Sequence, residues 1–164
     1  MDTQNSFIQV VKRPFRFKMF LLKKLPAAYF SGLRVTAFDN TQCTVAIPFK
    51  WFTKNPFRST YFACLSMAAE LSTGALAMAS VYGRTPAVSM LVTKIEAEFF
   101  KKAVGRSFFT CTDGEAIEKA VQAAVDTGEG QVFQAITNGV NEQQEPIARF
   151  VITWSFKVKL PGKG

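Results

Sequence analysis

Glu70 is the single charged residue in the stretch STYFACLSMAAELSTGALAMASVYG, positions 59–83. A carboxylate among apolar side chains loses solvation, which raises its pKa and makes it a stronger base when ionised near neutral pH. Such a group can activate a water or attack an electrophile directly. At helical spacing Ala63, Ser66, Met67, Glu70, Thr73, Gly74 and Ala77 share one mostly small face, where a ligand or a partner element can approach closely. Ser66, Thr73 and Gly74 are therefore the candidate substrate contacts. Asn55, in NPFRST, stands before a proline, where Asn is an ordinary turn residue. The plain alternative for Glu70 is a structural carboxylate, hydrogen-bonded to hydroxyls or to a strand. Ser59 or Thr60 is expected to cap the helix, and neither has a neighbouring base that would make it a nucleophile.

The composition narrows the chemistry. The chain has 164 residues and no histidine, which excludes Ser/His/Asp and Cys/His triads, an imidazole proton shuttle and a His-ligated metal. Cys43, Cys64 and Cys111 are odd in number and far apart, so neither a disulfide framework nor a metal centre is expected, and a cytoplasmic, reducing compartment fits them. The start of the chain, with Asp2 and Asn5 before any apolar run, is unlike a secretory signal. Lys and Arg total 20 against 12 Asp and Glu, a formal +8 that favours anionic partners or, more plainly, a solvated basic surface. Seventeen Phe against three Tyr and two Trp suit packing or apolar-ligand contact rather than base stacking, and nucleic acid is not expected as a partner.

These residues need a scaffold. Residues 1–164 are read as one domain, with 1–28 an amphipathic helical extension whose segment FIQVVKRPFRFKMFLLKKL makes one or two short helices broken near Pro14. Its basic side could meet a membrane surface or a phosphorylated ligand; a helix packed outside the domain with solvated lysines is the reading favoured over it. Strands are expected at Leu33–Phe38 and Gln42–Phe49, joined by a turn at Asp39–Asn40, and then at Ala87–Phe100, Arg106–Thr112, Gln131–Asn138 and Ala148–Leu160. In the last, Ala148, Phe150, Ile152, Trp154, Phe156, Val158 and Leu160 alternate with Arg149, Thr153, Ser155, Lys157 and Lys159, giving one buried and one wet face. A surface helix over about Glu115 to Val125 buries the stripe Ile117, Ala120, Val121 and Ala124 and ends near Gly128.

The helix over 59–83 has little polar face, so protein or lipid must enclose it. Glu70 near its middle, with Ser66, Ser72, Thr73 and Gly74, makes membrane insertion costly by roughly 2–3 kcal/mol or more. Set between the second and third of about six antiparallel strands, it can be buried only by a sheet that curls around it. The expected class is α+β, a hotdog fold.

The segment NPFRSTYFACLSMAAELSTG, Asn55 to Gly74, resembles the active-site stretch of hotdog acyl-CoA thioesterases of the phenylacetyl-CoA and hydroxybenzoyl-CoA type, and element order extends the resemblance over about residues 30–160. In those families an Asn or Gln precedes His-Gly-Gly at the start of the central helix, and an Asp or Glu follows inside it. Here Asn55 falls at the amide position, Tyr61, Phe62 and Ala63 at the His-Gly-Gly positions, and Glu70 at the acidic position. The chain is more similar still to the DUF4442 branch of the superfamily, through its Asn before the helix, an aromatic and small residues in place of His-Gly-Gly, the helix sequence AAEL and a terminal strand like FVITWSFK. The resemblance implies an acyl-CoA or other acyl thioester as substrate, coenzyme A only as part of that substrate, and no separate cofactor.

On that footing Glu70 is base or nucleophile, Asn55 positions the thioester, and backbone N–H groups near Thr60, Tyr61 and Phe62 stabilise the oxyanion at the positive helix end. Phe62 and Glu70 stand eight residues apart, about 12 Å along one helix, so one carbonyl cannot meet both. Two protomers with antiparallel central helices solve this, giving two equivalent sites in a homodimer or a dimer of dimers. Candidate partners for coenzyme A phosphates are Lys54, Arg58, Arg84, Lys101, Lys102 and Arg106. Phe62, bulky where the enzymes carry Gly, motivates a second reading, a non-catalytic fatty-acyl or lipid-binding hotdog protein.

Overall fold

The computed structural model describes residues 3–159; Met1 and Asp2 of the amphipathic extension, and Leu160 of the last expected strand, lie outside the described residues. Three helices come first: α1 (Thr3–Val11), α2 (Pro14–Lys24) and α3 (Pro26–Ser31). Pro14 and Pro26 each open a helix, where the missing N–H has no partner to lose. That second proline is why the amphipathic segment is followed by a third helix rather than a loop. Phe7, Ile8 and Val11 of α1 and Phe17 and Leu21 of α2 are buried in the main apolar cluster.

Strands β1 (Arg34–Phe38) and β2 (Cys43–Ile47) form the expected hairpin. Asp39 Oδ1 accepts from the Thr41 hydroxyl at 2.7 Å and from the Thr41 and Gln42 amides at 2.8 and 2.9 Å, which fixes the turn and lowers the Asp39 pKa. A single 3-10 turn at Trp51–Thr53 leads to the central helix α4 (Phe62–Val81). After it come β3 (Val88–Phe99), β4 (Ser107–Cys111), α5 (Gly114–Thr127), β5 (Gln131–Asn141) and β6 (Pro146–Val158). β5 runs three residues beyond its expected end because Asn141 pairs with Ser107 of β4. The Asn141 side chain then makes the turn into β6, accepting from the Gln143 and Glu145 amides.

The six strands form one antiparallel sheet in the order β1-β2-β4-β5-β6-β3. Its inner side chains, among them Val45, Phe109, Ala135, Phe150, Ile152, Trp154 and Phe156, are buried at the layer where β2 to β6 all meet α4. Thirteen of the twenty α4 residues are buried. This helix is long and apolar enough to span a membrane, yet two-thirds of its apolar window is buried within the protein itself. Burial against a sheet on several sides removes the need for a polar face. The sheet and its enclosed helix are the hotdog arrangement, α+β, that the alternating strands predict.

Helix α5 packs Ile117, Val121 and Ala124 inward and leaves its charged residues outside, as its stripe predicts. Cys43 and Cys111 are direct cross-strand neighbours, and burial pushes the Cys111 thiol up to about 12. Among the described residues β3 pairs with β6 alone and forms one edge of the sheet. Its residues Ile95, Ala97 and Phe99 stand opposite Ile152, Phe150 and Ala148, whose side chains are buried, while those of β3 are exposed.

Candidate active site

The loop before α4 is organised by Asn55. Its Oδ1 accepts from the amides of Phe57 and Ser59 at 3.0 and 3.2 Å, and its Nδ2 donates to Ser59 Oγ at 3.1 Å. The Asn55 amide N–H donates to the Ser59 carbonyl, so the whole residue is engaged in its own turn, where Arg58 takes a positive φ of 58°. In this state Asn55 shapes the loop from which α4 departs, and its amide does not reach outward.

Helix α4 begins later than a Ser59 or Thr60 cap would allow. The Thr60 amide donates to Ala103 O at 2.8 Å and the Tyr61 amide to Thr53 O at 2.7 Å, pinning both residues to neighbouring loops. Tyr61 is the cap residue in extended conformation, without a side-chain cap bond, and the Ser59 hydroxyl is held by Asn55. The Tyr61 N–H expected as an oxyanion donor is therefore occupied. Among the described residues the amides of Phe62 and Ala63 have no acceptor, and they point from the positive helix end. The donor pair legible in the structure is Phe62 and Ala63, one residue on from Tyr61 and Phe62.

Glu70 lies two turns into α4, partly buried, beside a cleft of about 210 Å³ lined by Lys24, Leu25, Pro26, Ala27, Ala28, Met67 and Leu71. Loss of solvent pushes its carboxyl above the ordinary carboxylate value. Among the described residues nothing hydrogen-bonds or ion-pairs with that carboxylate. Gly74, one turn on, leaves the space it occupies: a β-carbon there would stand 2.9 Å from Glu70 Oε1. The other small and hydroxyl residues of this face divide. Thr73 is fully buried, donates to Glu70 O at 3.0 Å and accepts from Trp154 Nε1 at 3.0 Å, so its hydroxyl is internal structure and faces no cleft. Ser66 donates to Phe62 O at 2.9 Å on the half-buried side of α4, between the helix start and Glu70. Sequence reading missed the wall of the cleft, because contact between the α2–α3 turn and Met67, Glu70 and Leu71 leaves no trace in periodicity.

The basic candidates also divide. Arg84 binds Glu118, Gln122 and the Ser80 carbonyl, and Lys101 pairs with Glu145 at 2.7 Å. Lys54, Arg58, Lys102 and Arg106 are exposed and lie on two loops that the Thr60–Ala103 bond holds together. Among the described residues no group of three or more His, Cys, Asp or Glu is placed to hold a metal.

A curled six-stranded antiparallel sheet around one long, mostly buried helix defines the chain as a hotdog-fold protein. It belongs to the DUF4442 family, a domain of unknown function whose profile matches residues 15–155. Among solved structures it is similar to PA5026 of Pseudomonas aeruginosa, described as a protein of unknown function and probable thioesterase. The two share 20% identity at a TM-score of 0.75 over 89% of this chain and 97% of that one. Thioesterase HI1161 of Haemophilus influenzae is 15% identical, with a TM-score of 0.65 over 92% of this chain and 94% of that one. A thioesterase family protein of Silicibacter pomeroyi is 12% identical, with a TM-score of 0.64 over 93% and 99%. No curated protein matches the chain by sequence.

Proposed function

We propose that this protein is an acyl thioester hydrolase of the acyl-CoA thioesterase kind, acting as a homodimer. The observation that carries the proposal is Glu70: a carboxyl raised by burial, without a partner among the described residues, at a mostly apolar cleft. The solved neighbours described as thioesterases support the same reading.

In the proposed reaction the acyl chain lies against Leu25, Pro26, Ala27, Met67 and Leu71. The ionised Glu70 takes a proton from water, and the resulting hydroxide attacks the thioester carbonyl. Negative charge on the carbonyl oxygen is met by the Phe62 and Ala63 amides at the start of α4. Collapse of the intermediate expels the thiolate, which takes up the proton, and leaves the carboxylic acid. If Glu70 attacks directly, a mixed anhydride forms first and water then cleaves it.

Glu70 and Phe62 of one protomer are about 12 Å apart along α4, too far to share one carbonyl. The dimer resolves this by setting the α4 start of one protomer against Glu70 of its partner. The unpaired edge of β3 and its exposed inner residues Ile95, Ala97 and Phe99 are suited to be covered by the same strand of a second copy. Lys54, Arg58, Lys102 and Arg106 are the proposed contacts for the phosphates of coenzyme A.

Thiol release from a panel of short, aromatic and long acyl-CoA thioesters tests the reading, with wild type and Glu70→Gln compared at equal fold and oligomeric state. Hydrolysis by wild type and its loss, by a factor of about 100 or more, in the variant is the expected result. Acyl-CoA binding without hydrolysis above the Glu70→Gln level would replace it with the fatty-acyl-binding reading. That second reading has its own support in the exposed Phe62 ring at the helix start.

A further inference from the structure

The whole excess of positive charge belongs to one part of the chain. Ten Lys and Arg and two acidic residues occupy positions 1–69, whereas positions 70–164 hold ten of each sign. The first part also exposes large apolar side chains that a water-facing surface does not need: Phe15 is 76% exposed, Phe30 55%, Trp51 79% and Phe52 52%.

These features form one connected surface. Lys18 of α2 sits 5.7 Å over the Tyr29 ring of α3, and Tyr29 packs edge-on against Phe30 with centroids 5.3 Å apart. Lys50 Nζ donates to the Phe30 carbonyl at 2.9 Å, tying α3 to the turn that carries Trp51 and Phe52. Gly32, which closes α3 at φ 79°, makes that bond possible, since a β-carbon there would lie 2.9 Å from Lys50 Nζ. Phe15 stands one turn before Lys18 on α2. Among the described residues of positions 3–69 the one acidic side chain is Asp39, and its carboxylate is folded into the β1–β2 turn.

We propose that this basic and aromatic surface of α2, α3 and the Trp51–Thr53 turn docks the protein on an anionic phospholipid bilayer. Phenyl and indole rings enter the headgroup region while Lys and Arg meet lipid phosphates, each supplying part of a binding free energy that neither supplies alone. Charge complementarity selects a lipid surface with negative headgroups. Exposed rings as well as lysines distinguish it from a purely solvated basic face. The turn between α2 and α3, from Lys24 to Ala28, is also a wall of the Glu70 cleft, so docking brings that wall to the lipid. The proposal stands independently of hydrolysis.

The test uses the full chain with vesicles of phosphatidylcholine alone and of phosphatidylcholine with phosphatidylglycerol, read by co-sedimentation and tryptophan emission. Trp51 is exposed and Trp154 is 3% exposed, so a change in emission reports the docking turn. Expected are binding to the anionic vesicles, a blue shift, and quenching by lipids brominated in the acyl chain. Phe15→Ser with Phe30→Ser leaves net charge unchanged and should weaken binding at least about tenfold. Trp51→Ser should weaken it independently and abolish the blue shift. Lys119→Gln with Lys157→Gln removes two charges from α5 and β6 and should bind like wild type. Absence of binding to anionic vesicles, or equal binding by all variants, overturns the proposal. So does a change of oligomeric mass in the Phe15→Ser, Phe30→Ser variant, which would assign the surface to a second copy.

Discussion

Gly74 lies one helical turn beyond Glu70, and a β-carbon at Gly74 would stand 2.9 Å from Glu70 Oε1 and 3.3 Å from Trp154 Cζ2. The absent side chain thus leaves room for the carboxylate, which extends along α4 toward Gly74. Gly74→Ala should displace the carboxylate and lower hydrolysis by about tenfold or more. Alanine's better helix propensity, about 1 kcal/mol, offsets crowding at Trp154, so stability should move by no more than about 1 kcal/mol. Denaturant melts beside thiol-release kinetics separate the two effects. Full activity in Gly74→Ala would show that the position of Glu70 is not critical.

Burial raises the folded-state pKa of Glu70 above its ordinary 4.5, so the folded protein holds this proton more tightly than the unfolded chain does. Stability contributed by this group is whole below the unfolded value and is lost as pH rises through the folded one. Glu70→Gln removes that loss, and its melting temperature should exceed wild type by about 1–4 °C at pH 8. The two should converge below about pH 4. Hydrolysis runs the other way, rising over the same interval as the base ionises. Calorimetry and a pH–rate profile on the same preparation check both signs.

A site shared by two chains can be complemented. Tyr61 has ψ 134°, the extended conformation that a following proline requires, so Phe62→Pro should fold while losing one proposed oxyanion donor. Glu70→Gln and Phe62→Pro should each hydrolyse poorly alone. Unfolded and refolded together, they should recover about a quarter of wild-type activity, because half the dimers carry one intact site of two. No recovery on mixing would place each site within one chain.

The edge of the sheet makes a separate prediction. Ile95→Asp puts a carboxylate on the exposed inner face of β3, where two copies would meet about a two-fold axis. The expected result is a monomer by light scattering, with circular dichroism unchanged and hydrolysis reduced at least tenfold. A dimer of unaltered mass would remove β3 from the interface.

Asn55 is expected to act through its loop. Asn55→Asp keeps the acceptor for the Phe57 and Ser59 amides and should retain most stability and activity. Asn55→Ala leaves those amides without their acceptor and should cost about 1–2 kcal/mol, with activity falling as the start of α4 shifts. Loss of activity in Asn55→Asp at unchanged stability would instead give the amide a direct role.

Much of the fold is written in local pattern. The alternation of Phe150, Ile152, Trp154 and Phe156, and the apolar run around Glu70, specify a half-buried strand and an enclosed helix through side-chain period alone. The lone charge at Glu70 marks the candidate site for the same reason, since an acid in such a helix stands out in one dimension. Other decisions belong to contacts between distant segments. The start of α4 shifts to Phe62 because Thr53 and Ala103, remote from Tyr61 and Thr60 in different degrees, accept their amides. Thr73 turns inward because Trp154, 81 positions away, donates to it, while Gly74 beside it makes room for a carboxylate. The basic residues of α2 and the aromatic turn at Trp51 become one surface only when Phe30 and Lys50 are joined. Period and composition record which side chains prefer burial; which groups then satisfy one another is decided by chain closure, and that exists only in the folded molecule.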